Sequence, residues 1–459
     1  MSGRAASEPG KMQRKLGLWA VLALVIGDMI GSGIFFTPGE LARVANAEWQ
    51  VYFFWALCGL ITLCGALTLA ELATLLPRAG VYYHALTEAY GPFAGFLQGW
   101  VQMLVTGPGS IAGIAFLFGE LANQIFGSDS PQLRLLWAIG AILIFAAVNL
   151  RGASWGGRTQ IILTSAKLVG LGALIFGGVW IAAPAEIVVA NAAAAGDSGL
   201  FGTFRFIGLG VAVVLFTYDG WIDASHIAGE VRNPRRNFPL AMGAGVVVIT
   251  AVYLLVNFAF LRVVPLQEMR ANPTMVASTV AEAAFGAAGG VAVNALMWVS
   301  IFGALGGLVM ALPRLFYATV SAYVESASNS AFAPIFRGLA YLSPKTSVPG
   351  GAILFTAGAA IVALVFFGSF AKIVSFVLVP LQIMNILLVS SVYRLRPRLG
   401  HADAYQTPGY PWVPAIFIVV MAAFLVSALV YNPVDSSIGI GLTLSGIPVY
   451  RLLQRSGGS

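Results

Sequence analysis

Charge is what this chain has least of. Among 459 residues, Asp, Glu, Lys and Arg make up 9%, while 59% are hydrophobic. Soluble domains carry roughly 25% charged residues, so the composition excludes a water-soluble globule and points to an integral membrane protein. Cysteine is nearly missing: Cys58 and Cys64 both fall within one apolar run, which excludes a framework of loop disulfides. The three histidines, His84, His226 and His401, are scattered and lack zinc-ligand spacing. No Gly-x-x-x-x-Gly-Lys-Ser/Thr stretch occurs, so ATP-driven work has no support. A membrane-embedded enzyme would need a clustered nucleophile and base, or a metal constellation. A channel would need a repeated pore ring. Neither pattern is present, and no cofactor is called for.

What is there is a succession of apolar runs. Twelve can be drawn, over 16–37, 50–75, 93–124, 133–150, 159–182, 204–229, 238–262, 289–322, 349–367, 371–393, 412–431 and 436–453. Each is near the roughly 20 residues that a spanning helix needs. The third and eighth are long and should be tilted. The first run is too long, and too little like a cleavage site, for a signal peptide. With the N-terminal tail (1–15) placed inside, the inner side carries 18 Lys and Arg and the outer side 6; the remaining one, Lys167, lies within the fifth run. That bias predicts a cell (inner) membrane protein with both termini, 1–15 and 454–459, in the cytoplasm. It also accounts for the net charge of +7 without a nucleic-acid partner.

Two runs are interrupted. In the first, Gly31-Ser32-Gly33 disfavours helix, each Gly giving up roughly 1 kcal/mol against Ala. A break at membrane depth is tolerated only where the freed backbone is buried in protein or faces a watery cavity. The N–H groups that open the next half-helix would converge on one spot suited to an anion. Alone, the same stretch would serve equally as a small-residue packing face. In the sixth run, Phe216 to Trp221 forms a second interruption, with Asp219 and Asp223 costly in a bilayer unless they face a cavity or a partner. Breaks at corresponding positions of two five-helix halves point to a transporter site built on an inverted repeat.

These interruptions sit in recognisable blocks. Ile30-Gly31-Ser32-Gly33-Ile34-Phe35 resembles the first-helix signature of the amino acid–polyamine–organocation (APC) superfamily. Pro77-Arg78-Ala79-Gly80-Val81-Tyr82-Tyr83, then Tyr90-Gly91-Pro92 and Gly99-Trp100, resemble its inner re-entrant loop and the start of helix three. Phe216 to Trp221, Gly229 to Pro234 and Phe238-Pro239 resemble helix six and the loop after it, and Arg314 to Tyr317 the end of helix eight. Within the superfamily the chain is most similar to the L-type amino acid transporters and their bacterial serine/threonine exchanger-like members. The resemblance implies the LeuT fold, all-α, with twelve transmembrane helices and broken helices 1 and 6. Its 5+5 inverted repeat would occupy 16–182 and 204–393, with helices 11 and 12 over 412–453. It also implies a sodium-independent exchanger of neutral L-amino acids. The alternatives are a proton-coupled symporter and a carrier of cationic amino acids.

The same resemblance assigns roles. The substrate carboxylate belongs on the N–H groups of Ser32, Gly33 and Ile34, and its ammonium on carbonyls of Ile30, Phe216, Thr217 and Tyr218. Both ends meet main chain, where glycine gives access. Phe216 corresponds to the outer aromatic gate. Ser300 and Gly303 match pocket-lining positions of helix eight, although a membrane-helix Ser commonly bonds its own backbone. Lys167 is expected to reach the first break near Gly27 or Met29, where related transporters place sodium. Ala311-Leu312-Pro313 lacks the hydroxyls of the sodium-binding relatives. Asp219 is open between binding ammonium, taking a proton and bonding freed backbone; Asp28 and Glu120 are similarly open, and Glu230 and Arg232 fit an inner gate or loop. Eukaryotic L-type transporters bond a heavy subunit through a cysteine in the loop after helix three. Asn123 to Leu133 has none, so no disulfide-linked partner is expected.

Overall fold

The computed structural model describes residues 16–31, 33–76, 80–151, 168–184, 200–222, 228, 231–324, 333–342, 348–399, 404–431 and 433–456. Among them the regular structure is helical, with only two isolated β-bridges, Leu16 with Val231 and Leu342 with Pro349. Eight described helices are long and apolar enough to cross a membrane. Each apolar run of the sequence overlaps a helix, and the long third and eighth runs become α5 (Pro92–Ile125, 34 residues) and α12 (Ala287–Val324, 38 residues).

The first run is two helices, α1 (Leu18–Met29) and α2 (Gly33–Val44). It is followed by α3 (Glu48–Leu75) and the short α4 (Val81–Tyr90), which enters through Gly80 at φ 73°, a left-handed conformation that suits Gly. After α5 come α6 (Pro131–Arg151) and α7 (Leu168–Ile181). The sixth run supplies α8 (Leu200–Tyr218), and the chain turns at 219–222. Then α9 (Pro234–Val263) packs along α3 and α1. Gly59 of α3 makes that approach possible: a Cβ there would stand 2.4 Å from Thr250 Oγ1.

Residues 263–288, a polar stretch by sequence, fold into α10 (Leu266–Ala271) and α11 (Val276–Phe285). Arg270 reaches from α10 to the carbonyls of Ala42 (3.0 Å) and Ala45 (2.8 Å), satisfying the orphan end of α2. This segment therefore sits on the second half of the first broken helix. Beyond α12 lie α13 (Ala333–Leu339), α14 (Gly350–Phe367), α15 (Phe370–Ser390), α16 (Val392–Leu399) and α17 (Trp412–Tyr431). The twelfth run is split into α18 (Pro433–Leu444) and α19 (Gly446–Ser456). At the split the Trp100 indole N–H (3.0 Å) and the Ser445 hydroxyl (2.6 Å) both donate to Leu442 O, the carbonyl that a continued helix would offer to Gly446.

Candidate functional site

The first break has a defined geometry. Ile30 N still donates to Ile26 O at 2.9 Å, closing the last turn of α1. Ile30 then takes φ −74° and ψ 77°, and Gly31 N bends back to Met29 O at 2.8 Å, an inverse γ-turn. Gly31 N is the donor that an unbroken helix would have aimed at Gly27 O, so the turn withdraws that partner. Ser32 lies outside the described residues. Gly33 and the buried Ile34 open α2, where the first-turn N–H groups have no intrahelical acceptor.

The second break meets the first directly. After α8 ends at Tyr218, Asp219 N reaches Phe216 O only at 3.4 Å. A Cβ on Gly33 would lie 2.7 Å from Thr217 Oγ1, and Thr37 Oγ1 and Thr217 Oγ1 share a hydrogen bond of 2.6 Å. Behind both breaks stands Tyr253 of α9, fully buried. Its hydroxyl donates to Met29 O at 2.6 Å and lies 3.3 Å from Thr217 O, so one side chain serves carbonyls from both breaks. Tyr218 points away from the junction, its Oη donating to Trp55 O at 3.0 Å, and the rings of Trp55, Tyr218 and Tyr253 pack at 4.9–5.9 Å.

A cavity of about 240 Å³ opens beside this junction, touching Gly33, Thr37 and Phe216. Leu117 of α5, Val374 of α15 and Phe424 of α17 supply apolar walls, and Glu40 stands on its lining with Arg43 paired at 3.2 Å. Phe216 is half-buried and meets Phe370 edge-on at 5.7 Å between ring centres. The structure thus gathers Gly33, Ile34, Ile30, Phe216, Thr217 and Tyr218 around one junction. Ser300 and Gly303 are both buried and do not line this cavity; the Ser300 hydroxyl has no hydrogen-bond partner. Lys167, Asp223 and Glu230 lie outside the described residues. Asp28 falls in the last turn of α1, and Glu120 pairs with Arg134 at 2.9 Å. Arg232 N donates to Leu16 O at 2.7 Å, tying the loop after helix six to the start of α1.

Tyr253 and Thr37 were not singled out from the sequence. A signal for the first existed: Thr250, Tyr253 and Asn257 recur at helical spacing on one face of an apolar helix, where polar groups are costly. What pairs them, 224 residues away in the case of Met29, is a property of the fold.

Residues 16–452 match the amino acid permease family. The serine/threonine exchanger SteT of Bacillus subtilis is 32% identical over 451 residues, 97% of this chain and 98% of that protein. The human cystine/glutamate transporter is 27% identical over 452 residues, 97% of this chain and 86% of its own. Large neutral amino acids transporter small subunit 2 of Oryctolagus cuniculus is 28% identical over 473 residues, 96% of this chain and 80% of its own. With two interrupted helices meeting at Gly33 and Thr217, the chain has the LeuT fold of the APC superfamily and belongs to the amino acid permease family, close to its L-type and serine/threonine exchanger members.

Proposed function

We propose that this protein is a sodium-independent carrier of neutral L-amino acids that exchanges one for another by alternating access across the cell membrane. The junction of the two broken helices carries this reading. The first-turn N–H groups of α2, at Gly33 and Ile34, offer donors and a positive helix end to the α-carboxylate, and the N–H of Ser32 is assigned to it with them. Across from them, the carbonyls of Ile30, Phe216, Thr217 and Tyr218 are the acceptors for the ammonium. The bonds from Asp219 N and Tyr253 Oη to Phe216 O and Thr217 O are long, 3.4 and 3.3 Å, which leaves capacity for a stronger donor. The side chain enters the apolar cavity, with Phe216 as its outer lid. Twelve spanning helices are assigned, the first ten as repeats over 16–182 and 204–393, with both termini cytoplasmic from the Lys and Arg bias. Cys58 and Cys64 are buried in α3, and no disulfide-linked second chain is assigned.

Neutral selectivity is supported by the apolar lining and by the Arg43 that pairs Glu40 at its edge. Asp219, inside the sixth-helix turn, is the one feature that favours a cationic substrate instead. Counterflow in proteoliposomes decides between them. Labelled L-serine or L-alanine should accumulate against unlabelled alanine, serine, threonine or somewhat larger neutral amino acids inside, and poorly against arginine or glutamate. Strongest counterflow with arginine would overturn the neutral assignment, and none with any amino acid would overturn transport itself.

A further inference from the structure

A buried polar cluster on the other side of the breaks is not used by this substrate reading. Tyr82, at the start of α4, is 4% exposed, and its hydroxyl donates to Asn385 Oδ1 at 2.8 Å across 303 residues of sequence. Asn385 Nδ2 donates in turn to Gln382 Oε1 at 3.1 Å, and both α15 side chains are buried. Asp219 of the sixth-helix turn stands near: burial, and secondly the Asp219 carboxylate, push the Tyr82 hydroxyl well above its ordinary range. Farther along α4, Tyr90 Oη bonds Ser390 Oγ at 2.8 Å, and Arg394 and Arg398 donate to the carbonyls of Ala89 (3.1 Å) and Glu88 (2.9 Å).

We propose that the Tyr82–Asn385–Gln382 chain is an inner latch, holding α4 across the route from the helix breaks to the inner side and parting whenever an amino acid passes there. The proposal rests on the transporter reading above. Two observations distinguish the latch from ordinary packing. The first is chemical. Farther along, the arginines hold main-chain carbonyls, whereas Tyr82 and Asn385 join two buried side chains. A hydrogen bond traded for water costs little, and one broken in a dry site costs the full desolvation of its groups. The pair is therefore stable while the route is closed and is released once water follows substrate in. The second is mechanical. Pro380 lies inside the continuous α15 just before Gln382 and cannot donate to Phe376 O, which weakens the helix there. Gly439 of α18 fills the space, so close that a Cβ there would lie 2.6 Å from Phe376 O. On one side of this joint Phe370 meets the gate residue Phe216; on the other, Asn385 holds Tyr82. One jointed helix thus touches both ends of the path.

The test bridges the latch. Tyr82→Cys and Asn385→Cys, in a Cys58→Ala/Cys64→Ala background, are joined by a short reducible bis-methanethiosulfonate reagent in proteoliposomes. Bridging should abolish exchange of labelled amino acid, and reductant should restore it. Unchanged exchange by bridged protein, or a bridge that mass spectrometry shows cannot form, overturns the latch. Tyr82→Phe supplies a second measurement, because it keeps the ring and loses the donor. Its KM from the inside should shift by about threefold or more, the scale of one lost hydrogen bond, with the outside KM unchanged. Equal shifts on both sides, or none, overturn the latch. Wild-type vesicles that exchange no amino acid overturn the transporter reading instead, which keeps the two failures distinct.

Discussion

A methyl group at position 33 would stand 2.7 Å from Thr217 Oγ1 and 3.0 Å from its Cγ2. Thr217 cannot turn aside freely, because its hydroxyl is bonded to Thr37 at 2.6 Å. Gly33→Ala must therefore push the two broken helices apart. Overpacking costs about 1–3 kcal/mol, so exchange should fall by about tenfold or more in well-folded protein. Gly33→Ala combined with Thr217→Ala should recover part of that loss, since the crowding atoms are gone. Wild-type exchange by the single variant would show that close approach of the breaks is not needed. The same residues mark how far the site could be read from sequence. A Gly-Ser-Gly inside an apolar run is costly enough to announce a break, and main-chain binding follows from it. Tyr253 is signalled only as one member of a polar stripe with Thr250 and Asn257, and its partners are not visible until the chain has folded Met29 and Thr217 against it.

At the level of elements, hydropathy located helices well because each spanning helix must bury or lipidate a whole apolar run. It missed α10 and α11, which lie in a stretch whose small and polar residues give no long apolar signal. It also missed the split of the last run, where the indole of Trp100 from α5 donates to Leu442 O. Tertiary polar links are equally silent in a hydropathy trace. Glu71 near the C-terminal end of α3 is one: it is 1% exposed, pairs with Arg396 Nε at 3.2 Å and accepts Thr407 N–H at 2.7 Å. The Arg396 guanidinium also lies 4.0 Å over the Tyr410 ring. One carboxylate thereby joins α3 to α16 and to the segment entering α17. Glu71→Ala leaves a largely buried cation without its partner, a loss of about 3–5 kcal/mol, and should lower the thermal midpoint of the purified protein clearly. Glu71→Gln keeps an acceptor for Thr407 and should lose less. Burial, and then the Glu71 carboxylate, push the Tyr405 hydroxyl up to about 12. In Glu71→Gln it should ionise at lower pH, measurable by ultraviolet titration. An unchanged midpoint in Glu71→Ala would show that this link does not hold these helix ends together.

For the molecule as a whole, the proposed sodium independence requires something other than a bound ion to tie the two halves together. Sodium needs several oxygen ligands, and a carrier that uses it must leave them free when empty. Here Met29 O already accepts both Gly31 N and the Tyr253 hydroxyl, which occupies its two lone pairs. The α12 stretch Ala311-Leu312-Pro313 offers no side-chain hydroxyl. On the proposed reading, Lys167 of the fifth run replaces the ion: a charged ammonium has three donors with which to hold carbonyls near Gly27. Replacing sodium with choline should therefore leave uptake unchanged, and Lys167→Ala should lose most of it with either cation. Amino acid inside the vesicles should stimulate uptake strongly, as an exchanger requires. A carrier in which Lys167 is instead desolvated, and takes up a proton during each cycle, would speed up as outside pH falls and would need no internal substrate. Measuring uptake across sodium, outside pH and internal amino acid separates the three couplings. Steep sodium dependence with Lys167 intact would mean that oxygen ligands for an ion do exist, and the ammonium-for-ion reading would have to be abandoned.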